Sequence, residues 1–180
     1  MSIRNVRQMG DDILRKKSKK VTTLDDRTKT LIDDMINTMD EQEGCGLAAV
    51  QVGVLKDIIV VKELEETETD EDGNEVIVKP SKNYVFINPE IVYYSDDKNT
   101  SYEGCLSVLG KRGQVERSNE IKLKAQDINM KDIEIDAKDF FARTIQHEVD
   151  HLNGVLYVDR VTGKLYDESD FEKSDDKDEN

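Results

Sequence analysis

The chain contains two histidines in 180 residues, and they stand four apart with a glutamate directly after the first: His147-Glu148-Val149-Asp150-His151. On a helix that spacing puts both imidazoles on one face, where neutral rings can hold one tetrahedral metal ion. Glu148 then lies about 100° round the axis, within reach of a bound water. Imidazole binds a divalent metal at neutral pH, and a carboxylate is a suitable base for water that the metal polarises. The competing reading is an amphipathic helix with two hydrogen-bonded core histidines, which leaves the glutamate between them without a purpose. A complete site needs a third ligand. The position six residues past His151, where some metalloproteases place another histidine, is Tyr157, and distal glutamates occur only in the acidic end of the chain, at Glu168 and Glu172. Cys105 and Cys45 remain, each flanked by glycine, with Cys105 the stronger candidate and an acid still open. One thiolate with two imidazoles supports ferrous iron as well as zinc.

These side chains must be positioned by a helix, which the pattern predicts from Ala137 to about Leu152, capped by Asp136, with Asp139 as an acidic stand-in at the capping-box position and Asn153-Gly154 as the stop. Phe141, Ile145 and Leu152 mark one apolar line, while Phe140, Thr144, His147 and His151 form the adjacent one. A helix apolar on more than one side is enclosed by the fold, which places both histidines in the interior. A second helix is predicted from Asp25 to Met39, its stripe made by Leu31, Ile32, Met35, Ile36 and Met39 and its cap by Thr23 or Asp25. The Gly-containing stretch around Cys45 permits close backbone approach. Strands are expected at Asp57–Val61, at Asn83–Tyr94 with an interruption at Pro89, and at Glu120–Ile128, with Lys131–Ile135 returning through a turn at Asn129-Met130. Cys105 falls between a strand region and a Gly-containing turn. No strand-helix alternation and no phosphate loop are present, so the expected fold class is α+β: a single domain with antiparallel β-sheets packed around a buried C-terminal helix that carries HExxH.

Composition places the charge. The chain has 26 basic and 40 acidic residues, a formal charge of −14. Glu63–Glu75 holds eight acids and no base, Asp167–Asn180 holds eight acids and two lysines, and the remaining body balances 24 acids with 24 bases. Both acidic segments read as solvated and mobile, since like charges repel and little apolar area offsets the entropy of ordering. Asp72-Gly73-Asn74 reads as the turn of a hairpin whose arms carry the acids. The expected organisation is a catalytic domain over residues 1–166 with an acidic loop at 63–75, followed by an acidic tail at 167–180 that is dispensable for catalysis. Net charge argues against a main task of gripping nucleic acid or an anionic membrane. Two cysteines make no disulfide framework, and the opening MSIRNVRQMGDDILRKK lacks the apolar core of a signal peptide or a membrane span, so a cytoplasmic location is expected.

Three segments in fixed order resemble the peptide deformylases: Gly44-Cys45-Gly46-Leu47-Ala48-Ala49-Val50-Gln51, then Glu103-Gly104-Cys105-Leu106-Ser107, then Gln146-His147-Glu148-Val149-Asp150-His151. Leu14-Arg15, Asn88-Pro89-Glu90, Gly154 and Asp159-Arg160 frame them in the same way, and the similarity runs from about residue 3 to 162. The resemblance implies a monomeric enzyme that removes the formyl group from formyl-methionyl nascent peptides and releases formate. It implies Cys105, His147 and His151 as metal ligands, with Fe(II) in the cell and zinc, nickel or cobalt in preparations. Glu148 is then the general base, and Gln51 with the backbone N–H of Leu106 stabilises the developing oxyanion. Gly46, Cys45, Phe140, Arg143 and Thr144 match the wall around the methionine side chain, with solvent exposure of the Arg143 head as the alternative. Arg112 matches a residue that contacts substrate carbonyls, and Glu103 with Arg117 matches an ion pair that supports the Cys105 loop. Formylated nascent polypeptides are the implied partners, with transient ribosome association, in a bacterial or phage-like setting.

Several positions depart from the family pattern. Val50, Leu109 and Asp12 stand where proline is common, Cys45 replaces a branched aliphatic residue, and Asp139 stands where glycine is usual. These departures bear on loop rigidity and substrate preference more than on the reaction. Two alternative activities are an HExxH zinc peptidase and a divergent amidase acting on another formyl or acyl amine. A non-catalytic metal store is a third reading, which gives Glu148 and Gln51 nothing to do.

Overall fold

The computed structural model describes residues 2–70 and 72–170. Helix α1 spans Asp26–Glu41 and begins where the Asp25 carboxylate accepts the Thr28 N–H at 2.8 Å, so Asp25 rather than Thr23 is the cap. Its stripe, Leu31, Ile32, Met35 and Met39, is buried. Strands β1 (Gly46–Ala48) and β2 (Ile58–Glu63) follow it. Next come the hairpin β3 (Glu66–Thr69) and β4 (Glu75–Lys79), then the long β5 (Lys82–Tyr94). After β6 (Lys98–Cys105), β7 (Val108–Ser118), β8 (Glu120–Gln126) and β9 (Asp132–Lys138), helix α2 covers Asp139–Leu152 and a short β10 covers Tyr166–Asp167.

The main sheet, antiparallel in the order β1-β2-β5-β8-β9, lies between the two helices. The apolar run of β2 shows how it is held. Ile58 and Val60 pack with the α1 stripe, while the alternate residues Ile59 and Val61 pack with Phe141, Ala142 and Ile145 of α2. A strand covered on both faces must be apolar at every position, which is why its sequence does not alternate. Each such fully buried side chain contributes about 1.5–3 kcal/mol relative to exposure. In a second sheet, β10-β7-β6, Val108 and Val115 of β7 pack in a smaller cluster with Leu14, Leu156 and Tyr157. No helix among the described residues is long and apolar enough to cross a membrane.

Three expectations need correction. Pro89 does not interrupt β5; the strand passes through a register shift between Ile87 and Glu90. Pro89 has no N–H to place in a ladder, and a bulge removes that demand. Asn88, at φ 53°, pins the bulge by bonding Val21 through both its amide oxygen and its amide nitrogen. Helix α2 does not start at Ala137 under an Asp136 cap. The β8–β9 ladder runs on through Ile121↔Ala137 and Glu120↔Lys138, and the chain turns at Asp139 with φ 50° and no side-chain cap. The hairpin expected around Asp72-Gly73-Asn74 is present: β3 pairs with β4, and Asp70 accepts the N–H groups of Asp72 and Asn74 at 2.9 and 2.8 Å. Finally, the tail is not free from Asp167 onward. Tyr166 and Asp167 pair with Arg112 and Lys111 of β7 and the Glu168 N–H donates to Gly110 O at 3.0 Å, while residues 171–180 of the expected tail lie outside the described residues.

Candidate metal centre

Three elements converge on one point. Helix α2 supplies His147 and His151 from its buried face, and the end of β6 supplies Cys105. β1 leads into a short 3-10 turn, Ala49–Val52, which supplies Gln51. The candidate ligand atoms of Cys105, His147 and His151 lie within 4.8 Å of one another, and Cys105 Sγ is 3.3 Å from His151 Nε2. Cys105 is therefore the third member, and Cys45, half-buried nearby, is not. Tyr157 is not a ligand either: its hydroxyl donates to Lys111 O at 2.9 Å and its ring stacks on His147.

The surroundings fix how each group presents itself. Glu103 Oε2 is 2.9 Å from His147 Nδ1. Burial alone would raise the Glu103 carboxyl, but hydrogen bonds from His147 and Arg117 outweigh it and hold the group well below the usual carboxylate range. An ionised carboxylate only accepts, so His147 Nδ1 carries the proton and Nε2 is left to bind metal. Arg117 grips both oxygens of Glu103 at 2.9 and 3.0 Å and reaches Asp150 at 2.6 Å, and Asp150 is gripped in turn by Arg160. The Arg143 head is not in solvent: it donates to Glu103 at 2.7 Å and to Val115 O at 3.0 Å, and it also bonds Asn99. The guanidinium thus lies beneath the cleft wall as part of a buried charge network. His151 is held neutral, its pKa well below the ordinary value through burial and the neighbouring His147 and Arg117.

Gln51 is almost wholly buried. Its Oε1 accepts the Ala48 N–H at 2.8 Å, which turns the amide nitrogen toward Ser107 Oγ at 3.0 Å and Cys105 Sγ at 3.5 Å. Glu148 has its pKa pushed up to about 7 by burial, and its Oε2 has no hydrogen-bond partner. A Cβ on Gly46 would lie 2.8 Å from the Glu148 carboxyl carbon, so only glycine lets the strand pass that close to the carboxylate. A cleft of about 480 Å³ opens above these groups, and every residue singled out from the sequence lines it except His151 and Arg117, which lie behind. The donor set fits a divalent transition metal: one soft sulfur, two imidazoles, and an unpartnered buried carboxylate beside them.

Sequence reasoning passed over Ser107, Asp150 and Asn99, and weighed Glu168 only as a distal metal ligand, which it is not in the Cys105-His147-His151 cluster. Ser107 and Asp150 stood inside the quoted motifs, but their partners Gln51 and Arg117 are distant in sequence. Nothing in the local pattern marks Asn99, or Glu168 as the partner of Arg112.

The family model of Polypeptide deformylase matches residues 3–165. A peptide deformylase of Lachnoclostridium phytofermentans is 42% identical over 177 residues, covering 98% of this chain and 100% of the relative. Peptide deformylase 1 of Clostridium perfringens is 48% identical over 159 residues, covering 88% of this chain and 98% of its own. Among solved structures, that of a Met-Ala-Ser-bound class I type b peptide deformylase from Acinetobacter baumannii superposes with a TM-score of 0.76 at 36% identity, covering 88% of this chain and 98% of that one. The enzyme from Thermotoga maritima gives 0.75 at 37%, covering 89% and 99%. Likeness of this extent, over a Cys-His-His cluster that the fold assembles independently of it, means that the chain belongs to the peptide deformylase family.

Proposed function

We propose that the chain hydrolyses the N-terminal formyl group of formyl-methionyl peptides in the bacterial cytoplasm, with Glu148 as general base and Gln51 and the Leu106 N–H as oxyanion donors. The observation that carries this reading is the Glu148 carboxylate, buried with one oxygen unpartnered at the edge of the Cys-His-His cluster. A binding site for stored metal has no use for such a group. Cys105, His147 and His151 would hold the metal, Fe(II) in the cell, which when bound supplies Lewis acidity toward water and the formyl oxygen. The rest falls to the protein. Glu148 takes the proton of the attacking water and passes it to the departing amine. Gln51 Nε2, pre-aimed by the Ala48 and Ser107 contacts, donates to the oxygen on which charge develops. Formyl carbon bears only hydrogen, so a small entrance beside the metal ligands would exclude bulkier acyl groups and separate this reaction from proteolysis.

Cys45, Gly46, Phe140 and Thr144 line the cleft and are assigned to the methionine side chain, with Arg143 beneath them. The Met-Ala-Ser held by the Acinetobacter enzyme supports a peptide lying along such a cleft. The protein is proposed to act as a monomer that meets nascent chains in transient association with the ribosome. The test is formate release from formyl-Met-Ala-Ser and acetyl-Met-Ala-Ser by iron-loaded protein kept free of oxygen. Release from the formyl peptide alone is expected; equal cleavage of both, or cleavage of internal peptide bonds, would contradict the assignment.

A further inference from the structure

The cleft rim should be basic by sequence, since Lys111 and Arg112 both line it. It is not, because the segment after β10 returns to it. β10 pairs with β7 at Tyr166↔Arg112 and Asp167↔Lys111, and Lys111 Nζ meets Asp167 at 2.5 Å. The next residue, Glu168, itself lines the cleft; one carboxylate oxygen accepts from Arg112 Nε at 3.0 Å and from Nη2 at 2.7 Å. Gly113 lets this segment close in: a Cβ there would lie 2.5 Å from Val161. The third basic residue of the cleft, Arg143, is committed to Glu103 below. Glu43, on the same rim, makes no ion pair among the described residues. Both exposed bases are thus matched by acids from the end of the chain, and Glu43 leaves the rim slightly negative.

We propose that Glu168 is a specificity-determining residue for deformylation: by occupying Arg112 it turns the cleft against formyl peptides with acidic residues after the methionine and toward those with neutral or basic ones. This inference rests on the hydrolase reading above. With the formyl group at the metal cluster, the following residues leave across the rim, where Arg112 and Glu168 are each a little under half exposed. At that exposure solvent screens the pair, so the effect on selectivity is modest, about threefold to tenfold.

The experiment measures kcat/KM of the full chain on formyl-Met-Ala-Glu, formyl-Met-Ala-Gln and formyl-Met-Ala-Lys, all with amidated ends. The native ratio of the Glu peptide to the Lys peptide is expected to be below one. Glu168→Gln should raise that ratio about threefold to tenfold and Glu168→Lys should raise it further, both gains shrinking in 0.5 M salt. Asp170→Asn, which removes one charge nearby in sequence from an exposed residue, should leave the ratio where it was. A ratio unchanged in both Glu168 variants while the Gln peptide is still hydrolysed would overturn this inference alone and reduce the Arg112 contact to a fastening of the tail. A shift of the same size in Asp170→Asn would overturn it too, as a general charge effect. No formate from any of the three peptides would overturn the hydrolase reading and this inference with it.

Discussion

Glu103 carries more obligations than any other side chain near the cluster, since it orients His147 and neutralises Arg117 and Arg143 at once. All four groups are buried. Removing the carboxylate leaves the Arg143 charge without its acid and Arg117 with Asp150 alone, so Glu103→Ala is expected to lose about 3–5 kcal/mol of stability in urea unfolding. Metal affinity should fall as well, by about tenfold to a hundredfold, because the His147 ring loses the group that fixes its tautomer. Stability and affinity both near native values would show that Arg117 can rely on Asp150 alone. Gln51 makes a different kind of contribution. Its amide is held in place before substrate arrives, and the proposed bond forms with the oxyanion rather than the ground state, so Gln51→Ala should lower kcat about tenfold or more with little change in KM. Steady-state kinetics on a formyl peptide decide this: an effect confined to KM would make Gln51 a substrate-positioning group.

Helix α2 is set by the strand that runs into it. Asp139 occupies a left-handed conformation between the last rung of β9 and the first turn of the helix, and its N–H donates to Asn119 O at 2.7 Å. Asp139→Val should cost about 1–2 kcal/mol in thermal unfolding, since a β-branched residue fits that conformation poorly. Asp139→Gly should be close to neutral, relief of strain being offset by loss of an acid at the helix N-terminus. A valine variant as stable as the native chain would contradict the assigned backbone. The same junction shows where sequence stops being informative. The periodicity of α1, the apolar run of β2 and the β8–β9 hairpin were legible because local pattern and burial agree there. The start of α2 was not, because Asp136 looks like a cap but is held by a ladder that no short window reveals. β7 escaped notice for a related reason. Its polar residues and two glycines, Gly110 and Gly113, read as turn, yet the strand is held in place by β6 on one side and the returning tail on the other. The ligand pair His147 and His151 was legible from spacing alone; the choice of Cys105 over Cys45 needed the resemblance or the fold, and Glu168 needed the fold.

Across the whole molecule, charge is distributed so that the neutral body carries the chemistry while acids gather in the β3–β4 hairpin and at the end of the chain. Among the described residues of that acidic end, Asp167 and Glu168 are tied to the catalytic body by ion pairs. A chain ended after Asp170 is therefore expected to hydrolyse a formyl peptide with kcat/KM within about twofold of the full chain. One ended after Leu165 loses β10 and both rim ion pairs, and should shift toward acidic peptides as the Glu168 variants do. Loss of activity in the chain ended after Asp170 would show that residues beyond that point support the site. The account as a whole stands on one division of labour, in which Cys105, His147 and His151 hold the metal and Glu148 handles the proton. Glu148→Gln keeps the shape of the side chain and removes only the base. Metal content and formate release measured on the same iron-loaded sample should give about one metal per chain, as the three-ligand site requires, with formate release reduced at least about a hundredfold. A variant that retains the metal and releases formate at a near-native rate would contradict the account.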